Sequence, residues 1–94
     1  MEINDIIWLD VFVDKIWSKH HVSTNEVDEL LNAAPKIRLI EKGDVKDENM
    51  YTAMGQTRGG RYLCIFFILK IHGMALVVSA RDMSHKERKL YEKK

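Results

Sequence analysis

The last third of the chain decides the fold, and residues 61–91 read RYLCIFFILKIHGMALVVSARDMSHKERKLY. This stretch predicts two strongly apolar strands, at 62–69 and 74–80, joined by a turn at His72-Gly73. The strand at 62–69 is apolar on both faces, which is typical of a strand in the middle of a covered sheet. A short charged helix is predicted from Ser84, because the letters SHKE fit a capping box.

Two amphipathic helices are predicted before these strands. The first covers 6–17, where apolar residues recur at helical spacing: Leu9, Phe12, Val13, Ile16 and Trp17. The second starts at Ser23, which forms a capping box with Glu26, and it is closed by Pro35. Its inward stripe is Val27, Leu30, Leu31 and Ala34.

From residue 37 the apolar period changes from about 3.6 to two, which indicates strands. A short outer strand is predicted at 37–42, a charged loop at 43–49 and a second strand at 50–57. Arg58-Gly59-Gly60 supplies the glycines of a tight hairpin. The order ααββββα predicts an α+β fold, an antiparallel meander with helices mainly on one face. With 94 residues, 46% of them apolar, we expect one domain spanning 1–94.

Composition narrows the functional classes. The N-terminus is acidic where a signal peptide would be basic, and the longest apolar run is too short to span a bilayer, so we expect a cytoplasmic protein without membrane contact. The lone Cys64 lies in an apolar strand, which argues against a disulfide framework and against a reactive thiol. A net charge of +1 supplies no general basic field for nucleic acid.

Cofactor and metal sites are not predicted. Gly55, Gly59 and Gly60 lack the spacing of a phosphate-binding loop and are explained by the hairpin. The four histidines show no metal-ligand spacing. We therefore expect neither a cofactor nor a metal.

What remains is a set of cations and hydrogen-bond donors: Lys19, His20, Arg58, Arg61, Arg81, Arg88 and Tyr91. Several guanidinium groups on one surface can bind a phosphate, because each planar guanidinium donates two parallel hydrogen bonds to phosphate oxygens. Metal-free RNA cleavage by the neighbouring 2′-OH requires a base, an acid and positive charge for the transition state. Arg81 and Arg88 could hold that charge. Protons could be moved by Glu87, His20, Lys19 or Tyr91. Alternatively, Arg81 and Glu87 pair across the helix start, and Tyr91 is a packing anchor.

Three segments carry a resemblance to a known family. Residues 79–92, SARDMSHKERKLYE, resemble the "SAR…ERxxYE" ending of the BrnT toxins of bacterial type II toxin–antitoxin pairs. Residues 17–23, WSKHHVS, resemble the family's "KHGVS" turn. Residues 53–57 and 60–63, AMGQT and GRYL, resemble "AIGxT…GRLL". The segments fall in the family's order, so the resemblance covers nearly the whole chain.

The resemblance implies a RelE-like small ribonuclease that cleaves RNA without a metal and stops bacterial growth. It also implies a BrnA-like antitoxin as partner, with operator DNA bound only through the toxin–antitoxin complex. The catalytic residues expected from the resemblance and the residue chemistry together are Arg81, Arg88, Glu87, Tyr91 and His20. The residues expected to bind RNA phosphates are Lys19, Arg58 and Arg61.

The chain departs from the family pattern at two places. His21 stands where the family usually has glycine, in a turn that requires a left-handed backbone. Residues 47–51, DENMY, stand where members often read EERY, so an arginine is missing. This loss and the low net charge favour a second hypothesis, a non-catalytic module that keeps the fold and binds the antitoxin. Direct DNA binding is a weaker third hypothesis, because no recognition helix is predicted.

Overall fold

The structure is a computed structural model, and it describes residues 1–43 and 48–93. Its strands are β1 (Asp5–Ile7), β2 (Lys36–Glu41), β3 (Met50–Gln56), β4 (Tyr62–Lys70) and β5 (Met74–Asp82). Its helices are α1 (Asp10–His20), α2 (Thr24–Leu31) and α3 (His85–Glu92). The α+β class is therefore confirmed, with the layout βααββββα over the described residues. The loop predicted at 43–49 lies in part outside them.

The strands form one sheet in the order β1-β5-β4-β3-β2. β2 to β5 pair antiparallel as the predicted meander, and β4 is the middle strand. The sequence does not predict β1, because Ile6 and Ile7 lie in the stretch predicted as the first helix. It pairs parallel with β5, with Ile6 opposite Ala75 and Ile7 opposite Leu76. Pairing with a strand almost 70 residues away supplies backbone hydrogen bonds that a local apolar pattern cannot indicate.

The core lies between the sheet and the first two helices. The helices and their connection contribute Ile16, Val22, Val27, Leu30 and Leu31, and the sheet contributes Ala53, Leu63, Ile65, Phe67, Ala75, Val77 and Ala80. Successive strand residues point to opposite sides of a sheet. We call this side the helix face. The other side, which carries Thr52, Met54, Cys64, Phe66 and Arg81, is called the open face, and α3 crosses part of it.

Two parts of the predicted helical stripes are wrong. In α1, Trp17 is 56% exposed and Leu9 is 43% exposed, while Ile16 is buried. Leu9 is the N-cap and precedes the helix, which therefore starts later than predicted. In the second helix, Ala34 is exposed and has φ of 50°, because α2 already ends at Leu31.

The predicted caps and turns are confirmed. Ser23 with Glu26 and Ser84 with Glu87 form complete capping boxes at the starts of α2 and α3. Gly60 has φ of 92° in the hairpin between β3 and β4. His21 ends α1 with φ of 53°, the left-handed backbone predicted for a position where the family has glycine. No helix in the described part of the chain is long and apolar enough to cross a membrane.

Candidate functional site

A groove of about 250 Å3 lies on the open face between β2 and α3. Its lining residues are Arg38, Leu39, Ile40, Thr52, Met54, Cys64, Phe66, Arg81, Glu87 and Leu90. The register explains why they meet. Met54 lies opposite Cys64, and Cys64 lies opposite Arg81, so these three side chains share one face.

Arg81 and Glu87 form a two-bond ion pair in this groove. The Arg81 Nη1 and Nη2 atoms lie 2.6 and 2.9 Å from the Glu87 Oε1 and Oε2 atoms. The Ser84 amide also donates to Glu87 Oε1, at 2.8 Å. The two hydrogen bonds from Arg81 are the main reason that the pKa of Glu87 falls to about 2. The same contact with Glu87 raises the pKa of Arg81. The carboxylate therefore stays ionised at neutral pH and fixes the orientation of the guanidinium.

The aromatic ring of Phe66 supports the same guanidinium. The Arg81 Cζ atom lies 5.1 Å from the centre of the Phe66 ring, within the range of a cation–π contact. Phe66 is only half-buried, so part of this side chain faces the solvent.

Arg88 and Tyr91 lie in the middle and the last turn of α3, the helix that borders the groove. The Arg88 guanidinium stacks on Tyr62, with Cζ 3.8 Å from the ring centre, and its Nε donates to Glu92 at 2.9 Å. The Tyr91 ring meets Tyr62 edge to face at 6.1 Å. Lys36 of β2 donates to the carbonyls of Tyr91 and Lys93, the latter at 3.1 Å. α3 is thus held near its start by Arg81 and at its end by Lys36.

A second polar cluster, on the helix-face side of the sheet, surrounds Arg61. Its Nε donates to Asp82 at 2.8 Å, and Nη1 lies 3.2 Å from Glu26. Nη2 and Nη1 also donate to the carbonyls of His20 and His21, at 2.6 and 2.7 Å. We call Arg61 and these four acceptor residues the arginine clamp. The left-handed His21 ends α1 here, and the Arg61 hydrogen bond lowers the pKa of Asp82.

The structure divides the predicted site residues. Arg81, Glu87, Arg88 and Tyr91 gather around α3, whereas His20 and Arg61 belong to the clamp. Arg81 and Asp82 are successive strand residues, so their side chains point to opposite faces.

The two remaining predicted cations lie apart. Lys19 is exposed in the last turn of α1. Arg58 is exposed in the hairpin, and its backbone amide donates to Glu29 of α2. The eight predicted residues therefore do not form a single site.

Sequence reasoning missed Arg38 and Phe66. Arg38 lies in an edge strand whose alternation alone does not tell which face it occupies. Phe66 lies within a continuous apolar run that reads as core. Only the register of β2 on β3 and of β3 on β4 aligns both residues with Thr52 on the open face.

Cys64 lies under the groove as a protonated thiol. It is 1% exposed, and mainly the loss of hydration raises its pKa to about 12. Across residues 1–43 and 48–93, no three His, Cys, Asp or Glu side chains come together as a possible metal site.

No family model and no curated protein matches the sequence. Among solved structures, the chain is similar to the 1.1 Å crystal structure of the Brucella abortus ribonuclease toxin BrnT, with a TM-score of 0.62 and 19% sequence identity. The match covers 86% of this chain and 97% of that chain. The resemblance to BrnT toxins is thus confirmed at the level of the fold.

Proposed function

We propose that the chain is an RNA-cleaving toxin of a bacterial type II toxin–antitoxin pair, acting in the cytoplasm without a metal. The observation that carries this proposal is the Arg81 guanidinium, held by Glu87 in an accessible groove. A solved ribonuclease toxin with the same fold supports it. A guanidinium fixed in advance lowers the barrier because it need not reorganise as charge develops.

In the proposed reaction, the RNA 2′-OH attacks the adjacent phosphorus. A bond forms between the 2′-oxygen and phosphorus, and the bond from phosphorus to the 5′-oxygen breaks. The extra negative charge on the phosphoryl oxygens is stabilised by Arg81, with the exposed Arg88 as a second cation. Both guanidinium groups rest on aromatic rings, Phe66 and Tyr62, which limit their motion.

Glu87 is assigned a positioning role in this mechanism. A carboxylate with a pKa of about 2 is a weak base, and its oxygens accept bonds from Arg81 and Ser84. Tyr91, next to the Arg88–Tyr62 stack, is the candidate acid for the leaving 5′-oxygen. His20 is expected as the base from the sequence, but it lies in the arginine clamp on the helix-face side of the sheet, whereas Arg81 faces the other side. The proton of the 2′-OH is therefore assigned to solvent water in the accessible groove.

A BrnA-like antitoxin is the proposed partner, and operator DNA is bound only by the complex. The groove suits occlusion by such a protein, because Ile40 and Leu90 on its rim are 48% and 45% exposed. Large exposed apolar side chains that cluster around a groove favour a protein contact. Expression without the antitoxin tests this function: the wild type should arrest bacterial growth, Arg81→Ala should not, and co-expressed antitoxin should restore growth.

A second function, a non-catalytic module that binds the antitoxin, is favoured by two observations. The fork of Arg81 is already occupied by Glu87, and residues 47–51, DENMY, lack the arginine of the EERY pattern that the resembled family often shows. Such a module would leave growth unaffected in the same experiment, yet it would still bind the antitoxin.

A further inference from the structure

Four side chains form a straight row across the open face. Arg38 lies opposite Thr52, Thr52 lies opposite Phe66, and Phe66 lies opposite Ser79. Residues paired in an antiparallel sheet point to the same side, so the row runs from β2 to β5 as one line. We call these four residues the open-face row.

The open-face row lies beside α3. The next row along the strands consists of Lys36, Met54, Cys64 and Arg81. α3 is held over that row by Lys36 and by the Arg81–Glu87 pair. Arg38, by contrast, is exposed, Phe66 and Ser79 are half-buried, and Thr52 is buried.

The row combines three chemical groups that RNA-binding surfaces use. Arg38 is a guanidinium with no ion-pair partner among the described residues. Phe66 is an aromatic ring on which a base can stack. Ser79 carries a half-buried hydroxyl group, which can donate to and accept from base edges, while Thr52 is buried beneath the row.

We propose that the open-face row binds one nucleotide of single-stranded RNA next to the cleaved phosphate, with its base on Phe66 and a phosphate on Arg38. This inference rests on the function proposed above. The Arg81 guanidinium covers part of the Phe66 ring, so the base takes the part of the ring that Arg81 leaves open, and its neighbouring phosphate then lies next to Arg81. The row thereby links a binding subsite to the reacting group.

Arg38 and Arg81 line the same groove as Phe66. They are three strand spacings apart, which separates their backbones by roughly 14 Å across the sheet. Both long side chains must therefore extend over the groove to hold the phosphates on either side of one base. A single strand fits because its unstacked bases can reach the ring, whereas bases inside a duplex cannot.

The charge of the groove favours RNA over a protein segment as its occupant. Among the described residues, its charged lining consists of Arg38, Arg81 and Glu87, and the Glu87 carboxylate is neutralised by Arg81. A polyanion gains from the remaining positive charge.

The test measures the affinity of the full chain for a 2′-O-methyl RNA octamer, which lacks the attacking hydroxyl and is not cleaved. Affinity is measured over a series of salt concentrations for the wild type, Arg38→Gln and Lys15→Gln. Lys15 is the matched control because it is exposed on α1, which packs on the helix face, and it carries the same charge.

We expect Arg38→Gln to reduce the slope of log affinity against log salt by about 0.7, the value for one phosphate contact on a single strand. Lys15→Gln should leave the slope unchanged. Phe66→Leu should weaken binding roughly tenfold without changing the slope, since stacking is not a counterion effect. Thermal unfolding verifies that each variant is folded, and the exposed Arg38 keeps the test valid if Phe66→Leu does not fold.

The outcomes separate this inference from the proposed function. If the wild type cleaves RNA while Arg38→Gln binds the octamer with wild-type affinity and slope, the subsite is refuted and the ribonuclease remains. If the wild type neither binds nor cleaves RNA, both proposals fail. If Arg38→Gln then weakens only antitoxin binding, the row is a protein interface.

Discussion

Arg81 and Asp82, the last two residues of β5, hold their charges on opposite faces of the sheet. Arg81 pairs with Glu87 at the start of α3, and Asp82 pairs with Arg61 at the start of β4. The last two residues of β5 therefore contribute one side chain to the groove and one to the arginine clamp. The open-face cluster carries the proposed chemistry, and the helix-face cluster fastens the end of α1 to the sheet.

Arg61 is predicted to act mainly in stability. Arg61→Ala removes hydrogen bonds to Asp82 and to the carbonyls of His20 and His21, so it should lower the free energy of unfolding by roughly 2 kcal/mol. Arg61→Lys should recover little, because an ammonium cannot reproduce the planar fork.

Urea denaturation measures this effect, with Arg58→Ala as the control. Arg58 is exposed in the hairpin, and its loss should change the free energy of unfolding by no more than about 0.5 kcal/mol. Equal effects of Arg58→Ala and Arg61→Ala would argue against the clamp.

Glu87 should make stability depend on pH in the acid range. Its pKa is about 2 in the folded chain against an ordinary value of 4.5. A lowered pKa contributes stability that is fully present above pH 4.5 and is lost as the pH falls toward 2. Glu87→Gln should remove this part of the pH dependence and keep the helix cap, because glutamine also fits a capping box.

Thermal unfolding between pH 2 and pH 6 measures this dependence. Glu92→Gln is the matched control on the same helix, since its pair with Arg88 is exposed. A Glu87→Gln protein that loses stability on acidification as steeply as the wild type would exclude the assignment.

At position 21, where the backbone is left-handed, glycine should give a more stable protein than alanine. His21→Gly and His21→Ala both remove the edge contact with Trp17, but only glycine adopts φ near 53° without strain. His21→Gly should therefore unfold with a free energy about 1 kcal/mol higher than His21→Ala. Chemical denaturation of the two variants compares them directly, and equal stabilities would contradict the strain.

Cys64 reports whether α3 stays in place. In the wild type, burial and a pKa of about 12 should make alkylation by iodoacetamide at pH 8 very slow. Arg81→Gln breaks the contact with Glu87 and should accelerate the reaction several-fold. The Arg81 charge favours the thiolate, so its loss alone would slow alkylation, and acceleration therefore reports exposure.

Arg58→Gln is the control for the alkylation experiment and should react like the wild type. Unchanged rates in both variants would mean that the Arg81–Glu87 pair does not hold α3 on the sheet.

Local signals predicted most of the fold. Capping boxes fixed the starts of α2 and α3, and the glycines of the hairpin fixed the boundary between β3 and β4. The predictions are wrong where contacts between residues far apart in the sequence determine the structure. Ile6 and Ile7 lie in the stretch predicted as the first helix, yet they pair with β5. Trp17 belongs to the predicted stripe of that helix, yet it is exposed.

The candidate site was predicted in part. Arg81, Glu87, Arg88 and Tyr91 come together because they lie within 11 residues that turn from a strand into a helix. His20 and Arg61 could not be separated from them by sequence, because the face of the sheet depends on register. Arg38 and Phe66 were not identified for the same reason, because the sequence does not give the register of the strands.

Metal-independent cleavage is measured on a labelled single-stranded RNA with the purified chain in EDTA. The Arg81→Ala/Arg88→Ala double variant is purified in parallel, and its folded state is verified by thermal unfolding. We expect the wild type to cleave the RNA and the double variant to leave it intact. Intact RNA with a folded wild type would refute the ribonuclease, and equal cleavage by both proteins would refute the roles of Arg81 and Arg88.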